Sequence, residues 1–432
     1  MSIKFSLSPL FSMNRKAISA FLFAVAAILA ISALNPLIHK ARAQTFFGAE
    51  RFPAMDVDAA DNIYLMMSVA TAPASEHRPH SQIFFTMSDD GGRSWDNSPQ
   101  TRNLSNSPGE AFGPSLAVNR FGKTRVYVAY QDTTPGPTQA FLIRSKKGTK
   151  FRRPANITPH NGGAFSPRVA LDSSEAVNIV WGDTNSNTGK VVFVRSTDQG
   201  ETFTAPLDIS KSSGVAFEPE LAVDPGNAIN VVWQDTAPGT SAIMFSRSTD
   251  GGGSFSAPKQ MSKGTGAATE AAIVSDAQGR LSVTWVDASA GGLQAYYSRS
   301  TDAGKTFSTP INASNSRDAD VHKPTLTTFQ NTVYLAFQNG GLYGEDDVRN
   351  QQVYLVKSED AGVTFGDAEL VSHADNSKGR AHSPAMVVDS RGVLHISWID
   401  ASIVGNDEGL LFYSRTTNGH QFTQQFMILA LI

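Results

Sequence analysis

The stretch STDQGETF, Ser196–Phe203, returns as STDGGGSF at Ser248–Phe255 and as STDAGKTF at Ser300–Phe307, each copy 52 residues after the last. Two looser copies flank these three: SDDGGRSW at Ser88–Trp95, two repeat lengths upstream, and SEDAGVTF at Ser358–Phe365, 58 residues downstream. A fixed period of this size marks stacked supersecondary units, each unable to bury its apolar face alone. Allowing one missing residue brings in SKKGTKF at Ser145–Phe151 and TTNGHQF at Thr416–Phe422, both without the motif's aspartate. The chain therefore reads as seven similar modules.

Upstream of the motif, an apolar run ends in an aromatic residue and an acid: Tyr130-Gln-Asp132, Trp181-Gly-Asp183, Trp233-Gln-Asp235, Trp285-Val-Asp287 and Trp398-Ile-Asp400. Module six has Phe337-Gln-Asn339 there, and module one has Met67-Ser-Val69. β-branched and aromatic residues concentrate in these runs, as in Ile229–Trp233, which favours strands. Further upstream, proline stands near the start of another expected strand: Phe112-Gly-Pro114, Phe165-Ser-Pro167, Phe217-Glu-Pro219, His322-Lys-Pro324 and His382-Ser-Pro384. A fourth strand is expected after the motif, as at Thr204–Ile209 and Ser308–Ile311. Four short strands per module, separated by Gly/Asn/Asp turns and lacking a helical period, predict an all-β fold. The expected architecture is a β-propeller of seven four-stranded blades, beginning near Phe52 and ending with Phe422–Ile432.

Length alone, 432 residues, would suggest two or three domains, but a closed ring of modules counts as one. The net charge of −3 lacks the basic excess that nucleic-acid binding would need. With no cysteine in the chain, a disulfide framework, a thiolate metal site and a lipid-anchored lipoprotein are all excluded. Lys4, Arg15 and Lys16 precede or open the apolar run Ala17–Leu34, and Ala41-Arg42-Ala43 offers a small-x-small cleavage pattern. Residues 1–43 thus read as a signal peptide ahead of a propeller over 44–432. The run is long enough for an uncleaved anchor to stand as the alternative. Either way the protein is expected to be secreted or periplasmic, touching a membrane only if that segment stays attached.

A residue present in every module does the same job in each, and that job is structural. The motif's aspartate and glycine suit a tight turn, and its terminal Phe or Trp suits packing between blades. The tryptophans and the cations before the motif, Arg144, Arg195, Arg247, Arg299, Lys357 and Arg415, recur in the same way and read as framework. The acids Asp132, Asp183, Asp235, Asp287 and Asp400 read as caps of backbone N–H groups. An oxygen-rich rim holding a structural Ca²⁺ is the alternative, and no other cofactor is called for.

These motifs, known as Asp-boxes, on blades of this size resemble those of the sialidase (neuraminidase) superfamily and its BNR-repeat relatives. The resemblance spans roughly Phe52 to Phe422. It implies a propeller that either hydrolyses glycosides or binds ligands, with the boxes on the side away from the binding face. Sialidases clamp a substrate carboxylate with three arginines, and use a Tyr–Glu nucleophile and an Asp acid/base. The family's Phe-Arg-Ile-Pro segment has no copy here. The nearest string is Arg51-Phe52-Pro53, and Arg168 after Pro167 is the only arginine just inside a first strand.

A site is expected where modules differ. Three connections on the opposite face are long: Thr71–Ser81, Gly340–Asn350 and Ala401–Gly409, in modules one, six and seven. In a closed ring they would be neighbours, and loops are where such scaffolds place recognition. Non-repeated polar residues facing that region are His77, Arg78, Lys323, Tyr343, Glu345, Arg349, Arg380 and His382, with Arg168, Glu218 and Glu270 approaching from the other side. Tyr343 and Glu345 suggest a tyrosine nucleophile with its base. Glu218 and Glu270, at the same place in adjacent modules, could form a carboxylate pair for glycoside hydrolysis. His77 and His80 lack a third metal ligand. The expected function is an exported propeller that binds a glycan or an envelope protein on this face without catalysis. The alternatives are a sialidase-like exo-glycosidase and a structural role in the cell envelope.

Overall fold

A computed structural model describes residues 53–71, 80–95, 102–120, 122–134, 136–158, 162–184, 189–264, 266–316, 320–340, 351–372, 380–401, 410–423 and 425–428. They form seven antiparallel sheets, each consecutive in the chain, as the repeat requires. Blade four is representative: Ala216–Val223, Ile229–Asp235, Ala242–Ser248 and Lys259–Gln260 pair in that order. The first strands of neighbouring blades touch one another all the way round. Ala54–Val57 of blade one meets Ala381–Val388 of blade seven, so these strands line the axis of a closed ring. Second strands are buried end to end in blades two to five and seven. Both faces of each blade are covered by its neighbours, which is why these strands read as apolar runs rather than alternating ones. Among the described residues, no helix is long and apolar enough to cross a membrane.

The recurring octapeptide is the joint between blades. In blade four Ser248 Oγ donates to Asp250 Oδ1 at 2.8 Å and accepts from Gly252 N at 2.8 Å, while Ser254 Oγ donates to Asp250 Oδ2 at 2.6 Å. Gly252 has φ of 85°, and a Cβ there would sit 2.1 Å from the Phe193 ring of blade three, so only glycine fits. Phe255 then meets that Phe193 ring edge-on, centroids 5.1 Å apart at 61°. The same contact recurs as Phe307 on Phe245, Phe365 on Tyr297 and Phe151 on Phe85. Trp95 of blade one packs on Tyr413 of blade seven at 4.9 Å and 73°, sealing the ring with the same device. Edge-to-face geometry suits aromatic quadrupoles and is worth about 0.5–1.5 kcal/mol beyond burial.

The recurrent cations reinforce these joints. Arg144 donates to Gln199 O at 2.8 Å, Arg299 to Ala361 O at 3.0 Å, Lys357 to Asn418 O at 2.9 Å and Arg415 to Gly91 O at 2.6 Å, each reaching the motif turn of the next blade. Arg195 and Arg247 stay within their blades, pairing with Asp172 and Asp224.

The fourth strands are shorter than expected. Only Leu207–Asp208 and Ile311–Asn312 keep strand pairing within Thr204–Ile209 and Ser308–Ile311 and the residue after it. Pro206 and Pro310 have no N–H to give the ladder, so pairing resumes only beyond them. Blade two has an additional short strand: Lys150–Phe151 and Ala155–Asn156 both pair with Gln139–Lys147. The Asn-x-Ser/Thr triplets at Asn103, Asn156 and Asn312 follow from the architecture. Ser105, Thr158 and Ser314 each take the N–H of a third strand, at 3.0, 2.8 and 3.0 Å.

Candidate functional site: the axial cavity

In blades two to seven the innermost strand breaks register just after its first pairs, between Phe112 and Ser115, Phe165 and Arg168, Phe217 and Glu220, Thr269 and Ala272, His322 and Thr325, and His382 and Ala385. Such bulges re-aim side chains. The residue on each bulge has positive φ: Gly113 61°, Ser166 49°, Glu218 49°, Glu270 53°, Lys323 50° and Ser383 53°. For a side chain other than glycine this backbone costs on the order of 1–3 kcal/mol and must be held by its surroundings. All six residues line one cavity of about 420 Å³ on the axis. One backbone device is thus repeated six times with different chemistry: neutral on blades two, three and seven, charged on blades four, five and six.

A second tier lies two residues further along each strand and also lines the cavity, including Ser115, Arg168, Glu220 and Thr325. Arg168 Nε is 2.6 Å from Glu220 Oε1, an ion pair between blades three and four. Glu270 accepts the backbone N–H of Lys323, and its Oε1 lies 3.6 Å from His322 Nδ1 and 3.9 Å from Lys323 Nζ. The Gln234 amide donates to Glu218.

These surroundings push the two bulge carboxyls in opposite directions. Desolvation raises the pKa of Glu218, and the Glu270 charge adds to it, against the pull of Lys323, Arg168 and the Gln234 amide. Glu218 is exposed to solvent, which limits the rise. Burial also acts upward on Glu270, but the His322 hydrogen bond, the Lys323 charge and the Lys323 N–H together hold it below the ordinary value.

The cavity therefore gathers four of the residues expected from the sequence: Arg168, Glu218, Glu270 and Lys323. Arg380 and His382 do not line it, though His382 Nδ1 contacts the lining residue Ser383 at 3.1 Å. Tyr343, Glu345 and Arg349 lie outside the described residues, as do 72–79 and 402–409, which hold most of the other two long loops, His77 and Arg78 among them. Glu220, Ser166 and Ser383 line the cavity without having been expected there, although each occupies the module position of a residue that was.

The second-strand acids serve their own loops. Asp132 accepts from Thr134 N and Ser107 Oγ at 2.8 Å each, and Asp235 from Ala237 N at 2.8 Å and Ser212 Oγ at 2.6 Å. In blades three, four and five the tryptophan two residues earlier donates its indole N–H to the acid at 3.2 Å. Among the described residues no three His, Asp or Glu side chains group so as to hold a metal ion.

Solved structures share this architecture. An ulvan lyase, a polysaccharide lyase, matches with TM-score 0.54 at 10% identity, over 89% of this chain and 96% of that one. The fold is the seven-bladed propeller of this lyase. A protein of unknown function from Dyadobacter fermentans matches with TM-score 0.52 at 17% identity, over 87% of this chain and 95% of that one. An intramolecular trans-sialidase from Ruminococcus gnavus matches at 0.46 and 12%, over 87% and 96%. No protein-family description and no curated protein matches the sequence. Among the described residues lining the propeller's axial cavity, Arg168 is the only arginine.

Proposed function

We propose that this protein is an exported glycan-binding propeller whose axial cavity receives a neutral saccharide. The observation that carries this reading is the ring of bulges, where a uniform backbone presents a non-uniform set of polar side chains to one cavity. Carboxylates accept from sugar hydroxyls and Lys323 donates, while the cavity volume falls within the range of small-ligand sites, about 300–1,000 Å³. Three carboxyl groups against Arg168 and Lys323 disfavour an anionic sugar, and Arg168 is already engaged by Glu220. The apolar run Ala17–Leu34 and the Ala41-Arg42-Ala43 pattern support export. A lyase named for its action on polysaccharide has the same fold, which supports a saccharide ligand by analogy only. Binding to arrayed glycans tests this: the protein should retain neutral glycans, and Glu270→Gln should release them while the fold persists.

The opposed behaviour of Glu218 and Glu270 favours one second reading, hydrolysis of a glycoside. Environments that push two carboxyls apart assign an acid and a base. Glu218, protonated, would deliver its proton to the glycosidic oxygen, and ionised Glu270 would act as base or nucleophile. Turnover of a panel of fluorogenic glycosides that is lost in both Glu218→Gln and Glu270→Gln would establish it.

A further inference from the structure

A second cavity, of about 590 Å³, lies between blades one and two and shares no lining residue with the axial one. It lies beside a departure from the repeat. Where blades three, four, five and seven end their second strands with Trp181, Trp233, Trp285 and Trp398, blade two has Tyr130. In blades three to five the indole N–H is tied to the neighbouring aspartate. In blade two Asp132 is satisfied by Thr134 and Ser107, and the buried Tyr130 hydroxyl has no hydrogen-bond partner. Tyr130, Phe141 and Phe151 line the cavity, with Tyr130 and Phe141 centroids 5.7 Å apart.

The rim of this cavity is cationic. Arg102, Arg152 and Arg153 line it and are exposed. Arg102 donates to Thr149 O at 3.1 Å, and Arg152 pairs with Glu201, which it shares with Arg144. Arg153 makes no ion pair among the described residues. An aromatic floor and a guanidinium rim select a ligand with a flat apolar face and a negative group.

We propose that this cavity binds an acidic saccharide unit, its ring against the aromatic floor and its carboxylate or sulfate toward the arginines. The site is independent of the axial cavity and opposite to it in charge preference, so the protein would hold two different parts of a mixed glycan. The test is calorimetric titration of the full chain with a glucuronate-containing disaccharide and with its neutral glucose counterpart. The acidic disaccharide should bind more tightly, and added salt should weaken it. Tyr130→Trp installs the residue used by blades three, four, five and seven; it should fill the cavity and abolish this binding while the thermal transition is kept. Arg153→Ala, at an exposed position, should weaken binding about fivefold, equivalent to roughly 1 kcal/mol, and keeps the proposal testable should Tyr130→Trp fail to fold. Absence of binding, equal binding of both disaccharides, or acid binding untouched by Tyr130→Trp or by Arg153→Ala would overturn it.

Discussion

Arg168 and Glu220 face each other across the boundary between blades three and four, Nε to Oε1 2.6 Å apart, each at the position just after the inner-strand proline. The guanidinium that could have met a substrate acid is thereby held by a carboxylate of the protein itself. Both side chains are about a third exposed, at 30% and 29%, so water screens the pair. Arg168→Ala should therefore cost about 1 kcal/mol or less in a denaturant titration. The same variant leaves Glu220 unpaired in the cavity, and affinity for any anionic sugar should fall further. A loss of several kcal/mol in stability would show that the pair is structural.

The two bulge carboxyls set a pH signature. On the hydrolytic reading, turnover requires Glu270 ionised and Glu218 protonated. Rate should rise as Glu270 ionises below the ordinary glutamate value of 4.5 and fall as Glu218 ionises above it. A pH–rate profile with an acidic optimum is expected, and Glu218→Gln should abolish the rate across it. A profile flat through this range would remove both residues from the chemistry.

Ring closure depends on Trp95. Its side chain is buried between blades one and seven, against Tyr413, and its indole N–H has no partner, so truncation loses packing rather than a hydrogen bond. Trp95→Ala should destabilise the protein by about 3–5 kcal/mol, read as a lower urea midpoint. A shift within about 1 kcal/mol would mean that the ring is held closed chiefly by Arg415 and the inner strands.

Acid should act on stability in two separable steps. His395 is fully buried, with Nδ1 2.6 Å from Tyr413 Oη, and burial lowers its pKa from 6.5 to about 4 against the pull of Asp389. A histidine depressed in the fold stabilises fully above its unfolded value, so this contribution is lost as pH falls from about 6.5 toward 4. His395→Asn, which installs the residue that blades three and four carry as Asn178 and Asn230, should flatten melting temperature over that interval.

The second step belongs to the motif turns. Hydrogen bonds from Ser94 and Ser88 outweigh desolvation and lower Asp90 from 3.8 to about 2, and Asp198, Asp250, Asp302 and Asp360 shift the same way. Depressed carboxylates stabilise above the unfolded value and lose that contribution as pH falls from about 4 toward 2. Differential scanning calorimetry at stepped pH should resolve the two intervals, and a single transition unaffected by His395→Asn would contradict the assignment.

The fold was legible because Ser-x-Asp-x-Gly does local work in five of the seven blades and an aromatic closes the motif in all seven, so physical necessity repeats in the sequence. Fourth-strand lengths were less legible, since Pro206 and Pro310 interrupt pairing that the apolar pattern alone would extend. Glu218, Glu270, Lys323 and Arg168 could be found as departures within a repeated position. Glu220 carries the same signal two residues after Glu218, but no other blade has an acid at that position to draw notice to it. The bulge that turns these positions into the cavity was not legible: Phe-x-Pro announces a proline near a strand start, but not a positive φ before it. Nor could Tyr130 be read as lining a cavity without the indole contacts of its counterparts.

The central claim, that the bulge ring is a glycan site, is met most directly by arrayed-glycan binding of the purified protein beside Glu218→Gln, Glu270→Gln and Lys323→Ala. Retention of neutral glycans that all three substitutions weaken about tenfold or more, with melting temperatures unchanged, is the expected result. Glycan retention that survives all three substitutions undiminished would place recognition elsewhere on the propeller.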